Sequence, residues 1–143
     1  MTGSRSPTSL DSTLGHIHGV LMALDDILKA FSEELTAFAA TGVVHHVEGT
    51  SIASRSEAGV DADTGNAYLA EMLKQYRITQ AGLGFDDEAL SLVLESSAGT
   101  ALASPLGDSE YLWTVLVGPA ANVALTQAVM RKYYDRVLEA LPV

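Results

Sequence analysis

The chain has 143 residues, no cysteine, and 18 acidic against 8 basic residues, for a formal charge of −10. One globular domain with a real core fits this length, disulfides and thiolate metal sites are excluded, and the acidic balance with scattered lysines and arginines argues against nucleic acid as a partner. The N-terminal MTGSRSPTS lacks the apolar core of a signal peptide and no stretch reaches the ~18 uncharged apolar residues of a membrane span, so a cytoplasmic protein without membrane insertion is expected.

Residues 1–10 read as a disordered polar leader, followed by a single domain over residues 11–143. Asp11 is placed to cap a helix. Leu14, Ile17, Leu21, Leu24, Leu28, Phe31, Leu35 and Phe38 then recur at steps of three and four, which predicts one long amphipathic helix ending at Ala39-Ala40-Thr41-Gly42. Val20, Met22 and Ile27 widen its apolar face. The C-terminal half is expected to pack on the protein's own sheet. The N-terminal half, with Gly15, His16, His18 and Gly19, is the part expected to reach a second chain.

Val43–Val47 and Thr50–Ser54 are rich in β-branched residues and are separated by Glu48-Gly49, the signature of a hairpin. Strand alternation places the adjacent His45 and His46 on opposite faces, where they do not share a metal. Asp61 or Asp63 caps a second helix reaching Tyr76–Gln80, with Ala62, Leu69, Met72, Leu73 and Tyr76 on its apolar side and Gly82 and Gly84 closing it. A second hairpin is predicted over Leu90–Glu95 and Thr100–Ser104, stopped by Pro105. Tyr111–Val117 is apolar nearly throughout, as befits a central strand buried on both faces. Gly118-Pro119 then opens a last helix with the apolar stripe Val123, Leu125, Val129, Tyr133, Val137 and Leu141. The order is α-β-β-α-β-β-β-α, an α+β fold.

This order, the Gly42-Val43-Val44 … Glu48-Gly49-Thr50-Ser51-Ile52-Ala53 hairpin, and the passage LWTVLVGPAANVALTQAVMRKYYDRVLEAL with its small-residue corner around Asn122 resemble the Roadblock/dynein light chain family over residues 25–141. The resemblance implies a five-stranded antiparallel sheet of profilin-like Roadblock type, with the first and third helices on one face and the second on the other. It further implies a homodimer joined through edge strands and second helices, acting as a platform or activator for a small Ras-like GTPase, or as an adaptor, without being an enzyme. The dimer contact is expected at helix two and an edge strand before Pro105, through Leu69, Met72, Leu73, Tyr76 and Leu102. The segment Leu14–Leu24 begins well before the family's usual first helix, so it is expected either to form a dimer seam or to fold over a partner's face.

No catalytic, cofactor or metal site emerges from the residues. His16 and His18, two apart on a helix, diverge by roughly 200°. Asp86-Asp87-Glu88 lacks ordered EF-hand spacing and reads as solvated turn residues. Gly82-Leu83-Gly84 and Gly118-Pro119 lack a phosphate loop's Lys-Ser/Thr, and Ser51, Ser54, Ser96 and Ser97 lack a nucleophile elbow. Trp113 and Tyr111 are expected to pack in the core. Arg55 and Arg77 are exposed cations without a motif behind them, so neither is assigned as an inserted guanidinium. The reading is a homodimeric regulator or scaffold of a small GTPase; the alternatives are a small-molecule sensor of profilin-like fold, or a structural self-assembly module using the heptad helix.

Overall fold

The computed structural model describes residues 7–85 and 90–142, with side chains from residue 14 onward. The elements are α1 (Pro7–Glu33), β1 (Phe38–His45), β2 (Ser51–Ser56), α2 (Ala62–Gly82), β3 (Leu92–Ser96), β4 (Gly99–Pro105), β5 (Tyr111–Val117) and α3 (Val123–Glu139). The strands form one five-stranded antiparallel sheet in the order β2-β1-β5-β4-β3. The expected element order holds, and the apolar β5 lies at the centre.

Alternation along the strands builds two cores. Val43, Leu102, Trp113, Val115 and Val117 meet Leu24, Leu28 and Phe31 of α1 and Val129, Met130, Tyr133 and Val137 of α3. On the other face Val44 and Leu112 meet Ala70 and Leu73 of α2, with Leu90. Trp113 is fully buried, its ring edge-on to Phe31 at 4.8 Å, and its Nε1–H donates to Thr41 Oγ1 at 2.9 Å. Such a buried indole contributes through area and through the satisfied N–H together.

Three boundaries and the place of one strand differ from the sequence reading. α1 ends at Glu33, so Leu35 and Phe38 are not helical: Phe38 opens β1 opposite Val117, and Ala39–Gly42 is strand. The apolar period continued through them because a strand entering the same core also begins with an apolar residue. The chain turns the corner with Ala37 at φ 59°, and Ala37 O accepts from Gly118 N at 2.8 Å. At the start, α1 is helical from Pro7, inside the expected leader, whose residues 1–6 lie outside the described residues. At the other end Pro119 sits in a turn, and α3 is capped by Asn122, whose Oδ1 accepts from Leu125 N at 2.9 Å. Finally, β4 before Pro105 is not an edge strand, since it pairs with both β3 and β5; the edges are β2 and β3.

α1 and α3 are tied at the rim. Glu34 Oε1 meets Lys132 Nζ at 2.8 Å and its other oxygen accepts from the hydroxyl of Tyr133, over whose ring the Arg136 guanidinium lies 4.8 Å from the centroid. The hydrogen bond from Lys132 foremost, then that from Tyr133, holds the Glu34 carboxyl below its usual range, and the same contact raises Lys132 and Tyr133.

Candidate functional site

The face that carries α2 is the one the fold leaves open. α2 lies close to the sheet because Gly42 has no side chain: a methyl there would stand 2.5 Å from Asn66 Nδ2. In the space so made, the buried Asn66 accepts from Thr114 Oγ1 at 2.6 Å and donates to Ser51 Oγ at 3.1 Å. Thr114 Oγ1 also lies 3.3 Å from Gly42 O. This polar link between α2, β5 and β2 fixes where the helix sits, since a buried amide tolerates few positions that keep its partners.

One flank of α2 faces the β1–β2 turn, where a methyl at Gly49 would touch Ala67 at 3.6 Å. The opposite flank faces β5, where a methyl at Gly65 would lie 3.7 Å from Leu116 Cδ1. Met72 and Tyr76, seven and eleven residues after Gly65, share that second flank, with Tyr68 beside them. All three are exposed, Tyr68 at 66%, Met72 at 43% and Tyr76 at 48%. Beyond them the same sheet face continues over Leu116, Ala101 and Leu94, which stand in register across β5, β4 and β3. Leu94 is 39% exposed, and a groove of about 360 Å³ runs there between Leu94, Ala101, Leu116 and Gly118. An aromatic and thioether ridge thus borders an apolar shelf that the described residues leave uncovered and that ends in an edge strand.

Of the five residues predicted for a dimer contact, Met72 and Tyr76 lie on this ridge. Leu69 and Leu73 are buried beneath the helix at 4% and 2% exposure, and Leu102 is buried on the opposite face of the sheet against α3. The chain's own packing therefore covers those three. Tyr68, Leu94, Ala101 and Leu116 are the members that the sequence reading did not assign to a surface; Tyr68 is one turn before Met72, which is the signal that marks it.

The histidines depart from expectation. His45 and His46 do not point to opposite faces: their rings stack at 5.8 Å with planes 3° apart. β1 ends at His45 and His46 opens the turn, so the strand alternation on which that expectation rested does not extend to His46. His45 Nε2 meets Glu110 Oε2 at 3.2 Å and its Nδ1 accepts from Glu48 N at 3.3 Å, so the ring serves the turn. His46 lies in a cavity of about 250 Å³ shared with Leu73, Lys74, Arg77, Ile78 and Leu112. Burial first, then the Arg77 charge, holds the His46 imidazole below its usual range. Among the described residues no three His, Asp or Glu side chains gather to hold a metal. Asp86-Asp87-Glu88 lies outside the described residues. Arg55 is engaged by Asp25 of α1 at 3.6 Å.

No family model matches the sequence, and no curated protein matches it significantly. Solved structures do. The chain superposes on the Roadblock/LC7 domain from Streptomyces avermitilis with a TM-score of 0.70 at 17% identity, covering 79% of this chain and 92% of that one. The fold is that of a Roadblock/LC7 domain. The gliding protein MglB from Thermus thermophilus shares this Roadblock architecture at TM-score 0.72 and 11% identity, over 85% of this chain and 90% of that one. MglC from Myxococcus xanthus does so at 0.58 and 15%, over 83% and 99%. Within the Roadblock arrangement α1 and α3 cover one face of the sheet and α2 half of the other, as the resemblance implied. Among the described residues no helix is long and apolar enough to cross a membrane.

Proposed function

We propose that this chain is a non-enzymatic homodimeric regulator or scaffold of a small Ras-like GTPase. The observation that carries the reading is the ridge of Tyr68, Met72 and Tyr76 beside the open shelf of Leu94, Ala101 and Leu116. A second α2 laid antiparallel on that shelf would cover both ridges at once, and the free edge of β3 would continue the sheet into the second copy. The joined surface is broad and lacks a converging set of titratable groups, which suits recognition of a protein rather than bond chemistry. At the start of α2, Asp61 has a structural role: it caps the helix through Thr64 N at 3.1 Å. The family resemblance supplies the partner class. The sensor alternative has less behind it, because the His46 cavity, about 250 Å³, is smaller than the ~300–1,000 Å³ of pockets that enclose a drug-sized ligand, and the groove of about 360 Å³ is an open shelf that would not enclose one.

The test is titration of the purified chain against the Ras-like GTPases of its source, loaded with GDP or with a non-hydrolysable GTP analogue. Nucleotide-dependent binding that is lost in Met72→Asp/Tyr76→Asp is expected. Absence of binding to either form would refute the assignment.

A further inference from the structure

The apolar seam of α1 does not stop where the core stops. Leu24, Leu28 and Phe31 are fully buried against the sheet, yet Leu14 and Ile17 on the same seam are 57% and 45% exposed, Leu21 is half-buried, and Met22 is 54% exposed. The helix carries this stripe past the sheet, and among the described residues none covers it. Intrinsic propensity does not sustain the segment, because Gly15 and Gly19 stand in its middle with open space around both. Packing has to supply the difference.

We propose that the N-terminal half of α1 is a self-association surface, on which the same segment of a second copy packs through Leu14, Ile17 and Leu21. The charge pattern selects this occupant. In a chain of charge −10, the thirteen residues from Ser12 to Leu24 contain no Asp, Glu, Lys or Arg. Two copies that repel elsewhere can therefore meet here without opposing carboxylates. A membrane surface is disfavoured because no lysine or arginine stands between Pro7 and Leu28, and an interfacial helix needs cations on its polar flank. A charged groove on another protein would find no counter-charge on the rim of this stripe. The pattern of threes and fours is what a helix pair requires of both partners, and a second copy provides it by identity.

The surface is independent of the α2 shelf and of the GTPase reading, since α1 and α2 lie on opposite faces of the sheet. With both interfaces occupied, each chain has two different two-fold contacts, and dimers join into a larger assembly.

Light scattering on the full chain tests this. Leu14→Glu/Ile17→Glu alters two exposed side chains outside the core and is expected to halve the mass at concentrations where the native chain is fully associated, weakening association at least about tenfold. Met72→Asp/Tyr76→Asp, measured in parallel, reports the other interface, so failure of one reading is distinct from failure of the other. Because the chain has no cysteine, Ile17→Cys introduces a single thiol at the centre of the seam, which meets its copy whether the helices run parallel or antiparallel. Under mild oxidation it is expected to form the disulfide-linked dimer at least about tenfold faster than Leu125→Cys, a site of similar exposure on α3. An unchanged mass together with equal cross-linking rates overturns the proposal. So does sedimentation of the native chain with phosphatidylglycerol vesicles that Leu14→Glu/Ile17→Glu abolishes, which would make a membrane the occupant.

Discussion

Asn66 holds α2 in place, and its energetic role can be worked out from its partners. Asn66→Ala removes the 2.6 Å bond from Thr114 and the 3.1 Å bond to Ser51 and leaves a small void under the helix. With about 1 kcal/mol per hydrogen bond and a modest packing loss, the expected destabilisation is roughly 2–3 kcal/mol, or a Tm lower by roughly 5–10 °C. Thr114→Val keeps the shape but leaves the Asn66 carbonyl oxygen buried without its donor, and about 1–3 kcal/mol is expected. The double variant is the decisive case. Once Asn66 is gone, Thr114→Val strands nothing, because the hydroxyl's other contact is only the longer one to Gly42 O at 3.3 Å. The losses should therefore fall short of the sum by at least about 1 kcal/mol in urea unfolding of all four proteins. Additivity within about 0.5 kcal/mol would refute the claim that these two groups act as a unit pinning α2.

Two further predictions concern pH. The Glu34 carboxyl, lowered chiefly by its hydrogen bond from Lys132, has a folded value below its usual 4.5. Its ionised form thus contributes stability in full above pH 4.5 and loses it as pH falls through the folded value, so the Tm gap between native chain and Glu34→Gln should stay constant near neutrality and close below pH 4.5; a gap that widens on acidification would contradict the pairing. His46, lowered chiefly by burial, favours its neutral form when folded, so its contribution is present above the usual 6.5 and lost as pH falls below it. The native chain should accordingly lose more stability than His46→Gln between about pH 7.5 and 5, and parallel Tm profiles would show that the ring is as well solvated folded as unfolded.

The order of the elements, their types, the central place of β5 and the burial of the C-terminal half of α1 were legible from local pattern. An apolar period of three and four residues, a run apolar on both faces and glycine at a hairpin turn are properties of neighbouring residues, and they act whatever the rest of the chain does. Composition likewise excluded thiol chemistry outright. Tertiary structure decided what depends on residues distant in sequence. Phe38 looks helical until it is seen to pair with Val117, and Leu102 looks like an edge-strand residue until β3 is seen to lie outside β4. The histidine rings stack because β1 ends at His45 and His46 already belongs to the turn, an end point that strand alternation alone does not give. Above all, the open shelf is a property of three strands brought into register, Leu116 beside Ala101 beside Leu94, next to a helix held there by Asn66. No local period encodes which half of a sheet face a helix will leave bare, because that is set by where one buried amide finds its partners.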